Sequence, residues 1–176
     1  MSSAVGVLAL FDSLEPVAPE ELVGRWRGAE LPTGSRLDGL LTLHGWWGKE
    51  VLDPETVHPL LFPGRDGVPR PVTPWPVPLA VLLHAPGLAR TLPARLGVAA
   101  VLPLLRARRP GARVRTVAHR GVATAAIVYD ALPIIDAFRR VDAATLLGLM
   151  DLRGLEEPFA FVLSRAPRSS GAAAAR

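Results

Sequence analysis

The sequence predicts a mainly β fold with helices, a small antiparallel β-barrel covered by a broken helical segment. Three observations carry that expectation. Five strand-length runs rich in β-branched and aromatic residues follow one another between residues 113 and 163. Most of the turns between them are too short for a parallel crossover, which takes about a dozen residues, so successive strands are antiparallel neighbours. Between residues 79 and 109, leucines recur at a helical spacing in pieces interrupted by proline.

The elements follow in order. Val5 to Phe11 is an apolar helix expected to dock on the body of the protein, because it lacks the positive charge and small-residue cleavage site of a leader. Pro19 to Val23 is a short helix whose Glu20 and Glu21 suit the positive end of a helix dipole. Gly24-Arg25-Trp26-Arg27-Gly28 is extended, and a turn follows at Pro32-Thr33-Gly34. Gly45-Trp46-Trp47-Gly48-Lys49 leads into a second extended stretch, and a short strand runs from Val57 to Phe62. Arg65-Asp66-Gly67 marks a turn, and Pro69, Pro71, Pro74, Pro76 and Pro78 make a stiff crossing. In the helical pieces, Leu88, Leu92, Leu96 and Ala100 share one stripe, bordered by Arg90, Arg95, Arg106 and Arg108.

The C-terminal strands are Arg113 to His119, Val122 to Tyr129, Ile134 to Val141, Thr145 to Asp151 and Phe159 to Leu163. Together with two or three N-terminal strands they are about enough to close a barrel of roughly eight strands, the size that holds one small ligand. An open sheet under the helical segment is the alternative topology. The expected organisation is one domain over residues 1–165, with an N-terminal part (1–64), a Pro-rich and helical lid (65–111) and the C-terminal strands (112–165). A frayed, low-complexity tail follows (166–176).

Composition excludes several kinds of chemistry. The chain of 176 residues has no cysteine, which rules out disulfides, thiolate metal sites and cysteine nucleophiles and suits a reducing cytoplasm. Net charge is only +4, and Lys49 is the single lysine; the high pI of about 10.8 reflects arginine, which does not titrate below about pH 12. Arg106, Arg108, Arg109, Arg113 and Arg115 form a basic run without aromatics, which reads as a solvated turn and not as a nucleic-acid surface. His44, His58, His84 and His119 are dispersed, so no metal site is expected. A glycine-flanked serine nucleophile and a phosphate-binding loop are absent, and no cofactor is implied. The apolar region from Val77 to Leu105 is broken by prolines and arginines and does not read as a membrane span.

Candidate site residues come from the strands. Asp136 shares a strand face with Ile134 and Phe138; if that face is inward, its carboxylate must be paired, hydrogen-bonded or protonated. If Ile135 is the inward residue instead, Asp136 lies on the surface. Tyr129, Lys49 and Arg139 are its candidate partners. Lys49, beside two tryptophans and two glycines, has three readings: a surface lysine after a tight turn, an anion anchor, or a desolvated amine nucleophile, the last without a phosphate-binding loop to support aldimine chemistry. Ala123, Ala125 and Ala126 on one strand leave interior room, and Trp47, Phe138, Met150, Phe159 and Phe161 would supply apolar wall.

Several phrases in a fixed order resemble one bacterial family. Gly24-Arg25-Trp26-Arg27-Gly28 matches the motif that names the GXWXG family, whose C-terminal part is a domain of unknown function of the DUF4334 type. Leu31-Pro32-Thr33-Gly34, Gly45-Trp46-Trp47-Gly48-Lys49, Arg120-Gly121-Val122 and Tyr129-Asp130 are similar to that family. So are Pro133-Ile134-Ile135-Asp136, Phe138-Arg139, Thr145-Leu146-Leu147-Gly148 and Met150-Asp151, and the resemblance spans roughly residues 18–165. Ala118-His119 departs from it. The resemblance implies a lipocalin-like barrel and binding of a phospholipid or another apolar ligand. It also implies a plug: in lipocalins a Gly-X-Trp tryptophan closes one barrel end beneath an arginine of the last strand, here Trp26 and Arg165.

The leading functional expectation is noncatalytic binding of an apolar or amphipathic small molecule, held by Trp47, Lys49, Tyr129, Asp136, Phe138, Met150, Phe159 and Phe161. The alternative is a metal-independent isomerase or cyclase with Asp136 as acid or base and Tyr129, Lys49 or His44 assisting. The segment from Leu79 to Arg109 is expected to cover the barrel mouth and to meet membrane surfaces only transiently.

Overall fold

The computed structural model describes residues 3–73 and 79–167. Pro74, Pro76 and Pro78 of the proline crossing, and the expected frayed tail from residue 168 onward, lie outside the described residues. The chain opens with α1 (Ala4–Ser13), strand β1 (Glu15–Pro16) and a single 3-10 turn, Pro19–Leu22. There follow β2 (Gly24–Leu31), α2 (Leu40–Leu43), β3 (Gly48–Asp53), β4 (Thr56–Pro63) and β5 (Pro69–Pro71). Three short helices come next, α3 (Leu79–His84), α4 (Pro86–Ala89) and α5 (Leu92–Val101). The chain then completes the sheet with β6 (Ala112–His119), β7 (Val122–Tyr129), β8 (Ile134–Asp142), β9 (Thr145–Leu152) and β10 (Phe159–Arg165).

Eight strands close into an antiparallel barrel in the ring order β8-β7-β6-β4-β3-β2-β10-β9, with β9 returning to β8. The five C-terminal strands form the expected meander, and Ala126, Ile127 and Val128 pair with Ala137, Asp136 and Ile135. Closure removes the unpaired edges that an open sheet would present. The ring has one weak seam: β4 and β6 share a single paired position, Val57 with Ala112. Beyond it β4 turns to β5, pairing Leu61 with Pro71, so the two walls diverge.

The N-terminal residues reinforce a second gap. Past Ala126, β7 leaves β8, and β1 takes its place on Arg139 and Arg140. Thr124 stitches this junction: its hydroxyl accepts from the Val17 amide at 3.0 Å and donates to the Phe138 carbonyl at 2.6 Å. α1 then lies across the outer wall, where Val7 and Phe11 bury Ala126, Ala137, Leu147, Leu149 and Ala160. Asp12 anchors it to Arg120 at 2.7 Å. Arg139 is fully buried in this region, its guanidinium 5.0 Å from the Phe11 ring centre. Alternation along β8 puts it on the face opposite Asp136, so it is not that carboxylate's partner.

One barrel end is plugged by the GXWXG segment. Trp26 is buried, donates its indole N–H to the Leu22 carbonyl at 2.7 Å, and carries the Arg165 guanidinium 4.3 Å from its ring centre. Arg165 also donates to the carbonyls of Val23 and Glu21, so it ties the last strand to the first turn. The glycines of the motif are steric requirements. A Cβ on Gly24 would sit 2.7 Å from the Arg165 guanidinium, and one on Gly28 would sit 2.2 Å from the Trp46 ring. Replacing Trp26 with alanine is expected to lower stability by about 3–5 kcal/mol, read by urea denaturation followed by circular dichroism. A loss below about 1 kcal/mol, the range of ordinary surface changes, would mean the ring is not a core element.

Candidate functional site

The barrel interior is divided by an aromatic layer that two glycines make possible. Gly148 on β9 stands opposite Phe138 on one side and Phe161 on the other. A Cβ there would meet the Phe161 ring at 2.4 Å. Trp46 lies on Gly28 in the same way and meets Phe161 edge-on, 5.7 Å between centroids, while Phe138 meets Phe161 at 6.0 Å. Trp26, Phe138, Ala125, Ile127 and Leu163 belong to the continuous core and line no cavity.

On the other side of Trp46 and Phe161 is a cavity of about 120 Å³. Its walls are Leu37, Leu40 and Leu41 around α2, Leu60 on β4, Leu79 and Leu82 on α3, and Leu132, Ile134, Met150, Leu152 and Phe159 from the C-terminal strands. α2 is positioned by Glu30, whose carboxylate accepts from the amides of Leu41 at 2.6 Å and Thr42 at 3.3 Å, at the positive end of the helix. The half-buried Leu41, Leu60, Leu79, Leu82 and Met150 form the outer rim.

Three polar side chains face this apolar space. Lys49 donates to Asp136 Oδ2 at 2.7 Å, to the Tyr129 hydroxyl at 3.0 Å and to the Pro59 carbonyl at 3.2 Å, which uses all three ammonium hydrogens. The ammonium also lies 5.0 and 5.5 Å from the ring centres of Phe161 and Trp46, so aromatic rings complete its surroundings. Lys49 and Asp136 are 2% and 1% exposed, which makes this an ion pair removed from water. Burial first, then the Asp136 charge and a hydrogen bond to it, push the Tyr129 hydroxyl well above its ordinary pKa. Tyr129 is therefore a neutral donor at all physiological pH. Trp46 supplies a fourth group: its buried indole N–H has no acceptor among the described residues.

Six residues named from the sequence for the cavity or its chemistry are placed elsewhere. Trp47 lies on the outer face between Arg25 and Arg27, 5.9 and 5.4 Å from their guanidinium carbons, because the chain kinks at Gly48 and turns Trp46 inward. Phe138 is inward but sits in the filled half of the barrel, beyond the aromatic layer. His44 ends α2 and faces α5 across a surface cleft. Of the three alanines, Ala125 is in the barrel core, Ala126 lies under α1 and Ala123 is exposed. Lys49, Tyr129, Asp136, Met150, Phe159 and Phe161 do line the cavity. Trp46 was missed because neighbouring tryptophans cannot be told apart until the kink is known. Among the described residues no cluster of His, Asp or Glu could hold a metal ion.

Fold and site together define a small closed β-barrel compatible with binding a ligand in an internal cavity. Residues 9–67 match the family described as GXWXG protein, and residues 110–165 match the domain of unknown function DUF4334. A crystal structure of a protein from Thermomonospora curvata is 31% identical to the chain over 93% of this chain and 87% of that one, with a TM-score of 0.69. No curated protein matches. The chain belongs to the family that joins the GXWXG segment to DUF4334.

Asp136→Ala is expected to cost about 3–5 kcal/mol, because it strands a buried ammonium, whereas Lys49→Met combined with Asp136→Leu should recover most of that loss. Chemical denaturation of the three variants checks both. Tyr129 is the single tyrosine, so absorbance near 295 nm reports it alone. The native protein should show no tyrosinate at pH values where an unfolded tyrosine, with pKa about 10, is half ionised. Since the folded value is the higher one, this group's contribution to stability is complete below about pH 10 and declines as pH rises above it.

Proposed function

We propose that the protein binds an apolar or amphipathic small molecule in the barrel cavity, with one polar atom of that molecule at the Lys49–Asp136–Tyr129 end. The observation that carries this reading is a buried ion pair in the wall of an otherwise hydrocarbon cavity, together with the wall residue Trp46, whose buried N–H has no acceptor among the described residues. A buried donor without an acceptor costs about 1–3 kcal/mol, and a carbonyl, hydroxyl or carboxylate oxygen on a ligand would remove that cost. Lys49 is neutralised and saturated, so it orients a polar group more than it attracts a full negative charge.

The cavity volume limits the ligand. About 120 Å³ takes a group the size of one aromatic ring, since a cavity of about 150 Å³ holds benzene. A whole phospholipid, the family expectation, needs Leu79 and Leu82 of α3 to move aside or leaves all but a chain end outside. Native mass spectrometry of the purified protein, followed by solvent extraction, tests the reading. A bound mass of one small apolar molecule is expected, and Met150→Trp, which fills the cavity, should remove it without unfolding the barrel. Wild type and variant each appearing at its own bare-chain mass, and no uptake of added single-ring alcohols or ketones by either, would overturn it.

A second reading rests on Asp136 beside Tyr129 at the cavity surface: a metal-independent isomerase or cyclase in which Asp136 moves a proton and Tyr129 donates to a developing oxyanion. Conversion of an extracted ligand by wild type but not by Asp136→Asn would favour it over simple retention. The cysteine-free composition fits action in the cytoplasm.

A further inference from the structure

We infer that the α4–α5 segment is a docking surface for an anionic lipid bilayer, applied next to the mouth of the cavity. The first observation is apolar surface that the barrel does not cover. None of the described residues from Leu79 to Leu105 is buried, and Leu88, Leu92, Leu96, Val101 and Leu104 are 45–82% exposed. α5 carries one charge, Arg95, in its ten residues. A helix that is apolar nearly all round is stable only when covered. Clefts of about 650 and 210 Å³ separate α5 from the barrel, so the barrel does not cover it. No helix among the described residues is long and apolar enough to cross a membrane, which leaves an orientation in the interface plane.

The second observation is charge. From Gly67 to Tyr129 the sequence contains nine arginines and no aspartate or glutamate; the remaining eleven basic residues share the chain with all sixteen acidic ones. Four of these nine arginines are neutralised by the barrel's carboxylates: Arg70 by Asp66, Arg113 by Asp130, Arg115 by Glu55 and Arg120 by Asp12. Around α5, by contrast, Arg95, Arg106, Arg108 and Arg109 make no ion pair among the described residues. The larger cleft places Arg65 and Arg106 beside apolar walls, the arrangement that seats a headgroup phosphate next to acyl chains, while Arg70 in the same cleft is held by Asp66.

Charge also selects the occupant. A second copy docking on the same patch about a twofold axis would set these arginines against their own equivalents, whereas an anionic bilayer complements them. The site is continuous with the cavity, because α3 of the same segment contributes Leu79 and Leu82 to its wall. The purpose of docking rests on the ligand-binding reading, but docking itself is measured without any cavity ligand.

Flotation of the full-length protein with vesicles of phosphatidylcholine alone, or with one third phosphatidylglycerol, tests it. Binding is expected only to the anionic vesicles at low salt, and should weaken as salt is raised. Each arginine near the surface is worth about fivefold in partitioning, so Arg106→Gln with Arg108→Gln and Arg109→Gln should lower it on the order of a hundredfold. Leu92→Ser with Leu96→Ser, on the exposed helix, should abolish binding with an unchanged thermal melt. No association at low salt, or association unaffected by both variants, overturns the inference. So does a dimer in light scattering that Leu92→Ser with Leu96→Ser dissociates, which would make a second copy the occupant. An empty cavity in mass spectrometry together with intact vesicle binding would reject the ligand reading and leave this one standing.

Discussion

The barrel depends on Lys49 and Asp136 being matched in one buried hydrogen-bond network, since either charge alone would be stranded in its interior. The network's four participants come from both sides of the weakest seam in the ring: Lys49 on β3 and the Pro59 carbonyl on β4, Tyr129 on β7 and Asp136 on β8. Between those walls β4 and β6 share one paired position. Two backbone hydrogen bonds, from Gly111 to Val57 and from Val114 to Pro54, and the Arg115–Glu55 ion pair cross the seam at the surface, and the charge-assisted network joins the same walls from the low-dielectric interior. Such a network is favourable only if every member is satisfied, and here the ammonium has three acceptors with the rings of Phe161 and Trp46 beside it. The polar group that gives the cavity its chemistry is also the group that joins its walls.

Where the cavity lies is decided by glycine. Two flat strand positions, Gly28 and Gly148, let Trp46 and Phe161 lie against the sheet instead of standing off from it. The rings then meet edge to face and separate a filled end, sealed by Trp26 and Arg165, from an open one. A side chain at either glycine would displace an aromatic into the cavity. The motif that marks the family is thus a packing requirement as much as a signature: Gly24 admits the arginine, Trp26 is the plug, and Gly28 admits the layer above.

Much of the fold could be read from the residues. The strand meander followed from short turns and β-branched runs, and the Trp26–Arg165 contact followed from the lipocalin likeness. The alternation of Ile134, Asp136 and Phe138 offered two faces, and the apolar neighbours of Asp136 pointed inward. Depth along the barrel was not legible, because parity says which face a residue takes but not which end, so Phe138 was assigned to the cavity when it lies below it. Trp46 and Trp47 were exchanged because Gly48 interrupts the alternation. The insertion of β1 beside β8 had no signal at all: two residues, one of them Pro16, carry no period. Leu92 and Leu96 were legible as a helix, while Leu88, expected on the same stripe, falls on the separate α4 because Thr91 caps the start of α5; their exposure reflects a barrel that offers no matching surface.

The ring order also has a consequence for how the chain is made. β2 pairs along its length with β10, Trp26 standing opposite Arg165, so the first strand of the barrel ring waits for the arrival of the last. On a ribosome adding about 5–20 residues per second, the interval between those two strands is on the order of ten seconds. During it, β2 and β3 have a hydrogen-bonding edge and a tryptophan without their partner. The nascent protein passes through a stage at which its N-terminal sheet can add a strand from another chain, and a holdase that shields residues 24–31 would act at that stage.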